Sequence, residues 1–190
     1  MDIKPVDGKT VKVKLEDLNI RYIPMAKLER WWDGHEHGYN MMSLPTSPHV
    51  EIMRIFLKHG FDWKRLKHSR YAEERRYRAK VGMTQWDSSK YMKAHFEKRY
   101  AILRSLRRSG YVKKKHGNRP IMILKEPFWN SRFKWNDPLI KGLEIWNGAG
   151  RSSAFYALGK KYIPVVYVED VAPGKMKCKD LERKFKNAKD

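Results

Sequence analysis

Cysteine is almost missing from this chain of 190 residues, since Cys178 is the only one. An internal disulfide is therefore impossible, and a zinc cage built on cysteines is excluded with it. The setting Lys177-Cys178-Lys179 favours the thiolate, yet a lone thiol in a basic tail is ordinarily incidental. Long apolar runs are missing too. None approaches the roughly 20 residues that span a bilayer, and the start, MDIKPVDGKT, has no apolar core of a secretory signal. A soluble, cytoplasmic protein is expected. Acidic residues are scarce: 21 Asp and Glu face 42 Lys and Arg, for a formal charge of +21 and an isoelectric point near 10.0. An excess of this size repels itself and is relieved by a polyanion, with nucleic acid favoured over an anionic membrane.

What is present supports a core. Hydrophobic residues make up 41% of the chain and aromatics 13%, with seven Trp, so wholesale disorder is excluded and one domain is expected. Val11-Lys12-Val13-Lys14-Leu15 alternates apolar and basic residues, the period of a half-buried strand that opens the fold. Tyr22 to Leu28 follows, and the stretch from Arg30 to Asn40 has no clean period and reads as a loop. Ser47-Pro48, then Val50, Ile52, Met53, Phe56 and Leu57 with Gly60 behind, combine a cap, a first-turn proline and a terminating glycine. They predict a helix from about Pro48 to His59. Asp62 can cap a second helix running through Trp63, Leu66 and Tyr71 towards Lys80. A third, from about Ser88 to Ser109, carries Met92, Phe96, Leu103 and Leu106 on one side and ends at Gly110. Ile121 to Leu124 is a short apolar run bounded by turn residues, consistent with a buried strand. The fold class is α+β.

The most specific segment runs from Leu143 to Asp170 and reads strand, glycine turn, short helix, glycine stop, strand. Gly148 and Gly150 permit a tight turn and a close backbone approach. A helix beginning near Arg151 points its free N–H groups back at that turn, so amides, helix dipole and the Arg151 guanidinium form a site for a phosphate or carboxylate. Ser152 and Ser153 add hydroxyls, and Asn147 and Ala149 complete the turn. Taken alone, the pattern is also satisfied by an ordinary turn with a surface arginine.

Context separates the two. Gly148-Ala149-Gly150-Arg151, then Ala154, Ala157-Leu158-Gly159 and Ile163-Pro164-Val165, match in order and spacing the Gly-x-x-Arg turn, Ala-rich helix, Leu-Gly and Ile-Pro-Val strand of one superfamily. The chain resembles the ParB/sulfiredoxin superfamily over Pro120 to Asp170 and, more weakly, over Val11 to Leu28. The resemblance implies a small mixed sheet with helices over residues 1–170, interrupted by a basic helical insertion at about 47–118 and followed by a basic tail at 171–190. It also implies that the turn holds nucleotide phosphates, with ATP and Mg²⁺ as the expected cofactor. Relatives include a CTP-binding partition protein, sulfiredoxin, a free-serine kinase and proteins described as nucleases, so the fold leaves the reaction open.

Departures narrow the choice. Sulfiredoxin's turn is Gly-Cys-His-Arg, and Ala149 and Gly150 stand where its working cysteine and its histidine would be, which excludes that activity. The partition proteins' Gly-Glu-Arg-Arg is kept only at Gly148 and Arg151, which tells against CTP switching of that sort. Asn147 replaces the Asp that many relatives carry, so a base from that position is lost. In relatives the loop after the Lys-Leu element faces the turn. Here that loop holds Asp33, His35 and Glu36, which could take a proton or hold a divalent ion; a solvated polar loop explains the same residues. His35 and His37 could also be metal ligands, although two histidines at i, i+2 with no matched partners are a weak signal.

Charge is concentrated in the middle, where Gly60 to Asn118 holds 18 Lys and Arg against five Asp and Glu. Bases alternate there with flat rings, and the candidate nucleic-acid contacts are Lys64, Arg65, Arg70, Arg75, Arg76, Arg78, Arg104, Arg107 and Arg108. Solvated helical faces usually mix both signs, whereas this one is nearly single-signed, so a nucleic acid, DNA ahead of RNA, is the expected partner. Trp129 and Trp135, in the aromatic loop from Phe128, are placed to stack a base or to pack the core edge. Three functions compete: NTP-dependent phosphoryl transfer or hydrolysis on nucleic acid, a metal-dependent nuclease using Asp33, His35 and Glu36, and a non-catalytic DNA-binding protein.

Overall fold

The computed structural model describes residues 2–3, 11–12, 18–28, 30–32, 41–80, 89–112, 120–124 and 143–171. These form a mixed α and β protein around a six-stranded sheet. Its strands are β3 (Arg21–Pro24), β4 (Arg30–Trp32), β5 (Met41–Ser43), β6 (Ile121–Leu124), β7 (Glu144–Asn147) and β8 (Tyr162–Tyr167). They lie in the order β3-β8-β6-β7-β4-β5. The β6/β8 and β4/β7 pairs are parallel and the others antiparallel, and β6 is bulged between Met122 and Ile123 against β7. Two further strands, β1 (Asp2–Ile3) and β2 (Val11–Lys12), pair only with each other. The Val11-Lys12 strand thus forms a separate ribbon and does not open the main sheet.

Helix α1 (Pro48–His59) follows its local signals: Ser47 Oγ accepts from the Val50 amide at 3.3 Å, and Gly60, at φ 66°, closes the end with its N–H on Phe56 O at 3.0 Å. The helix read as continuous from Asp62 to Lys80 is instead two. Asp62 caps the single turn α2 (Trp63–Leu66), and α3 spans Arg70–Lys80. The break lies at Ser69, whose hydroxyl donates to Leu66 O at 2.7 Å and accepts from the Ala72 amide at 3.3 Å. A serine hydroxyl competing for backbone groups ends one helix and caps the next. Helix α4 (Ser89–Ser109) buries Met92, Phe96, Leu103 and Leu106 and stops at Gly110, φ 64°. At 1.5 Å per residue it is roughly 30 Å long.

The stretch from Arg30 to Asn40, read as a loop, begins with strand β4. Three residues are too few to show a period, and Trp31-Trp32 favours strand by side-chain type alone. Helix α5 (Ala149–Ala157) leaves β7 and lies against β6, and both α1 and α4 pack on it. One apolar cluster joins Val50, Phe56, Phe96 and Leu103 of the helices to Ile23, Ile121 and Ile163 of the sheet. The basic helical segment therefore shares its core with the sheet. A last helical turn, α6 (Val168–Val171), follows β8. No helix among the described residues is long and apolar enough to cross a membrane.

Candidate anion-binding site

Strand β7 ends at Asn147, whose side chain is exposed, and the chain turns at Gly148 with φ 102°. Glycine is needed there twice over. An L side chain rarely adopts that φ, and a Cβ would stand 3.0 Å from Ile121 Cα and 3.1 Å from its Cγ1. The close approach of the turn to β6 thus rests on the missing side chain. Gly148 O accepts from the Arg151 and Ser152 amides at 2.8 and 2.9 Å. The amides of Ala149 and Gly150, opening α5, have no acceptor within the helix and carry the positive end of its dipole.

Arg151 is buried in the first turn of α5 at 7% exposure. A cation placed there opposes the helix dipole and loses its hydration, an arrangement that only negative charge or hydrogen-bond acceptors nearby make favourable. The Tyr111 phenol lies within its field: burial pushes its pKa above the ordinary value, while the Arg151 charge pulls against that rise. Ser152 directs its hydroxyl to the carbonyls of Ala149 and Gly148, at 3.0 and 3.2 Å, and so serves its own helix. Ser153 differs. Its hydroxyl is 1% exposed and has no hydrogen-bond partner among the described residues.

The face of α5 beside Gly150 is filled from another helix. A Cβ on Gly150 would overlap the guanidinium of Arg99, which comes from α4. Arg99 Nε–H donates to His95 Nε2 at 2.9 Å, one helical turn away, and the Tyr71 hydroxyl meets the same nitrogen at 2.7 Å. Since Arg99 can only donate, Nε2 is the acceptor, His95 carries its proton on Nδ1, and the Tyr71 O–H is a second donor. Burial, then the charges of Arg99, Arg75 and Lys98, hold the His95 pKa at about 2, so the ring is a neutral acceptor at any ordinary pH. Tyr71, almost fully buried, stacks on His95 at 5.6 Å and has the Arg75 and Arg99 guanidinium carbons 5.0 and 5.8 Å from its ring centre. Two rings and two arginines thereby pack together, with Arg99 reaching α5. Arg99 makes no ion pair with a carboxylate among the described residues.

The other candidate residues separate into groups. Asp33, His35, Glu36, Trp129 and Trp135 lie outside the described residues. Lys64 is exposed on α2, and Arg78 lies on α3. Three arginines are engaged within the protein: Arg65 pairs with Asp62, the cap of its own helix, at 3.1 Å, Arg70 of α3 with Glu51 of α1 at 3.7 Å and with Thr46 O at 3.0 Å, and Arg76 of α3 donates to Lys67 O at the end of α2 at 2.7 Å. Arg75 is drawn in over Tyr71. Arg104, Arg107 and Arg108 remain exposed on one end of α4, with Arg104 over the Tyr100 ring at 5.8 Å. Among the described residues no three or more His, Cys, Asp or Glu side chains gather as metal ligands.

Sequence reasoning missed Tyr71, His95 and Arg99 as members of a site. A signal was present: Met92, Phe96, Leu103 and Leu106 leave a gap in their spacing of threes and fours, and Arg99 fills it. A permanent cation on the buried stripe of a helix requires a partner. Compared with known proteins, the chain matches no family model, no curated protein and no solved structure.

Proposed function

We propose that this chain is a ParB/sulfiredoxin-like, nucleic-acid-binding enzyme that holds a nucleoside triphosphate at the turn from Asn147 to Ser153 and transfers or hydrolyses its terminal phosphate. The observation that carries the reading is the turn itself: Gly148 at φ 102° opens a helix whose first amides are free within it and whose first turn buries Arg151. The helix-opening amides and a guanidinium supply donors there, which suits phosphate oxygens. The Ala149 and Gly150 amides and Arg151 would hold the phosphates, and Ser153 would supply a further hydrogen bond. A bound triphosphate supplies an activated phosphoryl group. Asp33 or Glu36 would accept the proton of the attacking hydroxyl and meet Mg²⁺. The exposed Arg104, Arg107 and Arg108 would bind the backbone of DNA, and a hydroxyl on DNA or a modified base is the acceptor this pairing favours.

Calorimetry with ATP and Mg²⁺ tests the reading. Arg151→Ala is expected to weaken binding by at least about tenfold, the effect of a lost charge-assisted hydrogen bond; unchanged affinity overturns it. Incubation with γ-labelled ATP and DNA then separates the chemistries: label in DNA marks a kinase and free phosphate a hydrolase. Strand cleavage needing only Mg²⁺ marks a nuclease, and DNA binding without turnover a non-catalytic protein. Replacing Arg104, Arg107 and Arg108 by Gln should lower the salt slope of DNA affinity by about one per lost phosphate contact.

A further inference from the structure

We infer that Arg99, delivered from the basic helix α4 into the space left by the missing side chain of Gly150, is a second arginine ligand for a phosphoryl group at the head of α5. The inference rests on the reading of the turn as a phosphate site and adds to it a residue from outside the segment that carries the family resemblance.

Four observations converge on Arg99. It occupies a buried-stripe position of α4, between Phe96 and Leu103, where an apolar residue would serve packing better. Among the described residues its guanidinium is hydrogen-bonded through Nε alone. Nε–H is committed to Nε2 of the neutral His95 ring, and the Tyr71 hydroxyl meets the same nitrogen. Arg99 Nη1 is carried against Gly150, where any side chain on residue 150 would collide with it. No carboxylate among the described residues neutralises the charge. The anchor and the glycine together seat the guanidinium against the first turn of α5.

The same face of α5 carries an independent pointer to a ligand. Ser153 stands four residues after Ala149 and three after Gly150, so it shares their face, and helical side chains lean towards the N-terminus. Its hydroxyl is 1% exposed and without a partner among the described residues. A buried hydroxyl left unsatisfied is unfavourable, and an oxyanion seated on the Ala149 and Gly150 amides would satisfy it. Two amides, two guanidinium groups and one hydroxyl outnumber what the two oxygens of a carboxylate accept. They fit the free oxygens of a terminal phosphate, and the double positive charge favours its dianion. Because Arg99 lies on α4 with Arg104, Arg107 and Arg108, the arm that would bind DNA and the turn that would bind phosphate form one device.

Calorimetry with ATP and Mg²⁺, with inorganic pyrophosphate as a second probe, is run on the full chain and on Arg151→Ala, Arg99→Ala, Arg99→Lys and Gly150→Ala. Thermal melts confirm that each variant folds. Arg99→Ala is expected to weaken both probes about ten- to a hundredfold, the scale of a lost charge-assisted fork, and Arg99→Lys to recover part of it. Gly150→Ala, which keeps the arginine but displaces its guanidinium, should match Arg99→Ala. Wild-type affinity in both Arg99→Ala and Gly150→Ala, with binding lost in Arg151→Ala, overturns the role of Arg99 and leaves the turn as a phosphate site. Failure of the unaltered protein to bind either probe overturns both.

Discussion

Holding His95 neutral makes stability depend on pH in a calculable way. In the unfolded chain the imidazole has its ordinary pKa of 6.5, whereas in the folded protein burial and the charges of Arg99, Arg75 and Lys98 lower it to about 2. Above pH 6.5 both states are neutral, and the group takes nothing from stability. Below that value the unfolded chain binds a proton that the folded protein refuses, so stability falls as pH falls, all the way towards the folded pKa. Between pH 7.5 and 5.5 the loss is about 1.4 kcal/mol, and each further unit of acid removes about 1.4 kcal/mol more. Urea denaturation of the protein and of His95→Gln at the two pH values measures it. The Gln Oε1 can accept from Arg99 and Tyr71 but does not titrate, so the variant should lose about 1.4 kcal/mol less over that interval. The other histidines contribute equally to both and cancel. An equal loss in the two proteins refutes the assignment of His95 as a buried neutral acceptor.

Two further outcomes follow from the backbone and the caps. Gly148→Ala forces a side chain onto φ 102° and onto the Ile121 backbone, so it should destabilise by about 1–3 kcal/mol in chemical denaturation. Ser47→Ala removes the hydroxyl that accepts from the Val50 amide and should lower stability by about 1 kcal/mol, read as a shift of the thermal midpoint.

The elements legible in the sequence were those whose signals are local. Ser47, Pro48 and Gly60 delimit α1 without help from the rest of the chain, and Gly148 and Gly159 bracket the helix after β7 as their spacing requires. The break at Ser69 was hidden because a mid-helix serine is ordinary until its hydroxyl is seen to hold Leu66 O. Strand β4 was hidden because its pairing with β7 and β5, not its pattern, makes it a strand. The turn was found, but not what faces it. His95 and Arg99 lie about 50 positions before Gly150, and nothing in either segment specifies that α4 docks on α5 with Arg99 inward. Only the misplaced charge in an apolar stripe pointed there.

The order of the sheet also governs how the chain must fold. Strand β8, the last of the described strands, lies between β3, the first of the sheet, and β6. Pairing Tyr22 with Pro164 closes a loop of about 140 residues, an entropic demand met late and slowly. Until β8 arrives, β3 and β6 each expose an edge that is covered in the native sheet, and open edges invite pairing between chains. Chains stopped short of Tyr162 should therefore aggregate.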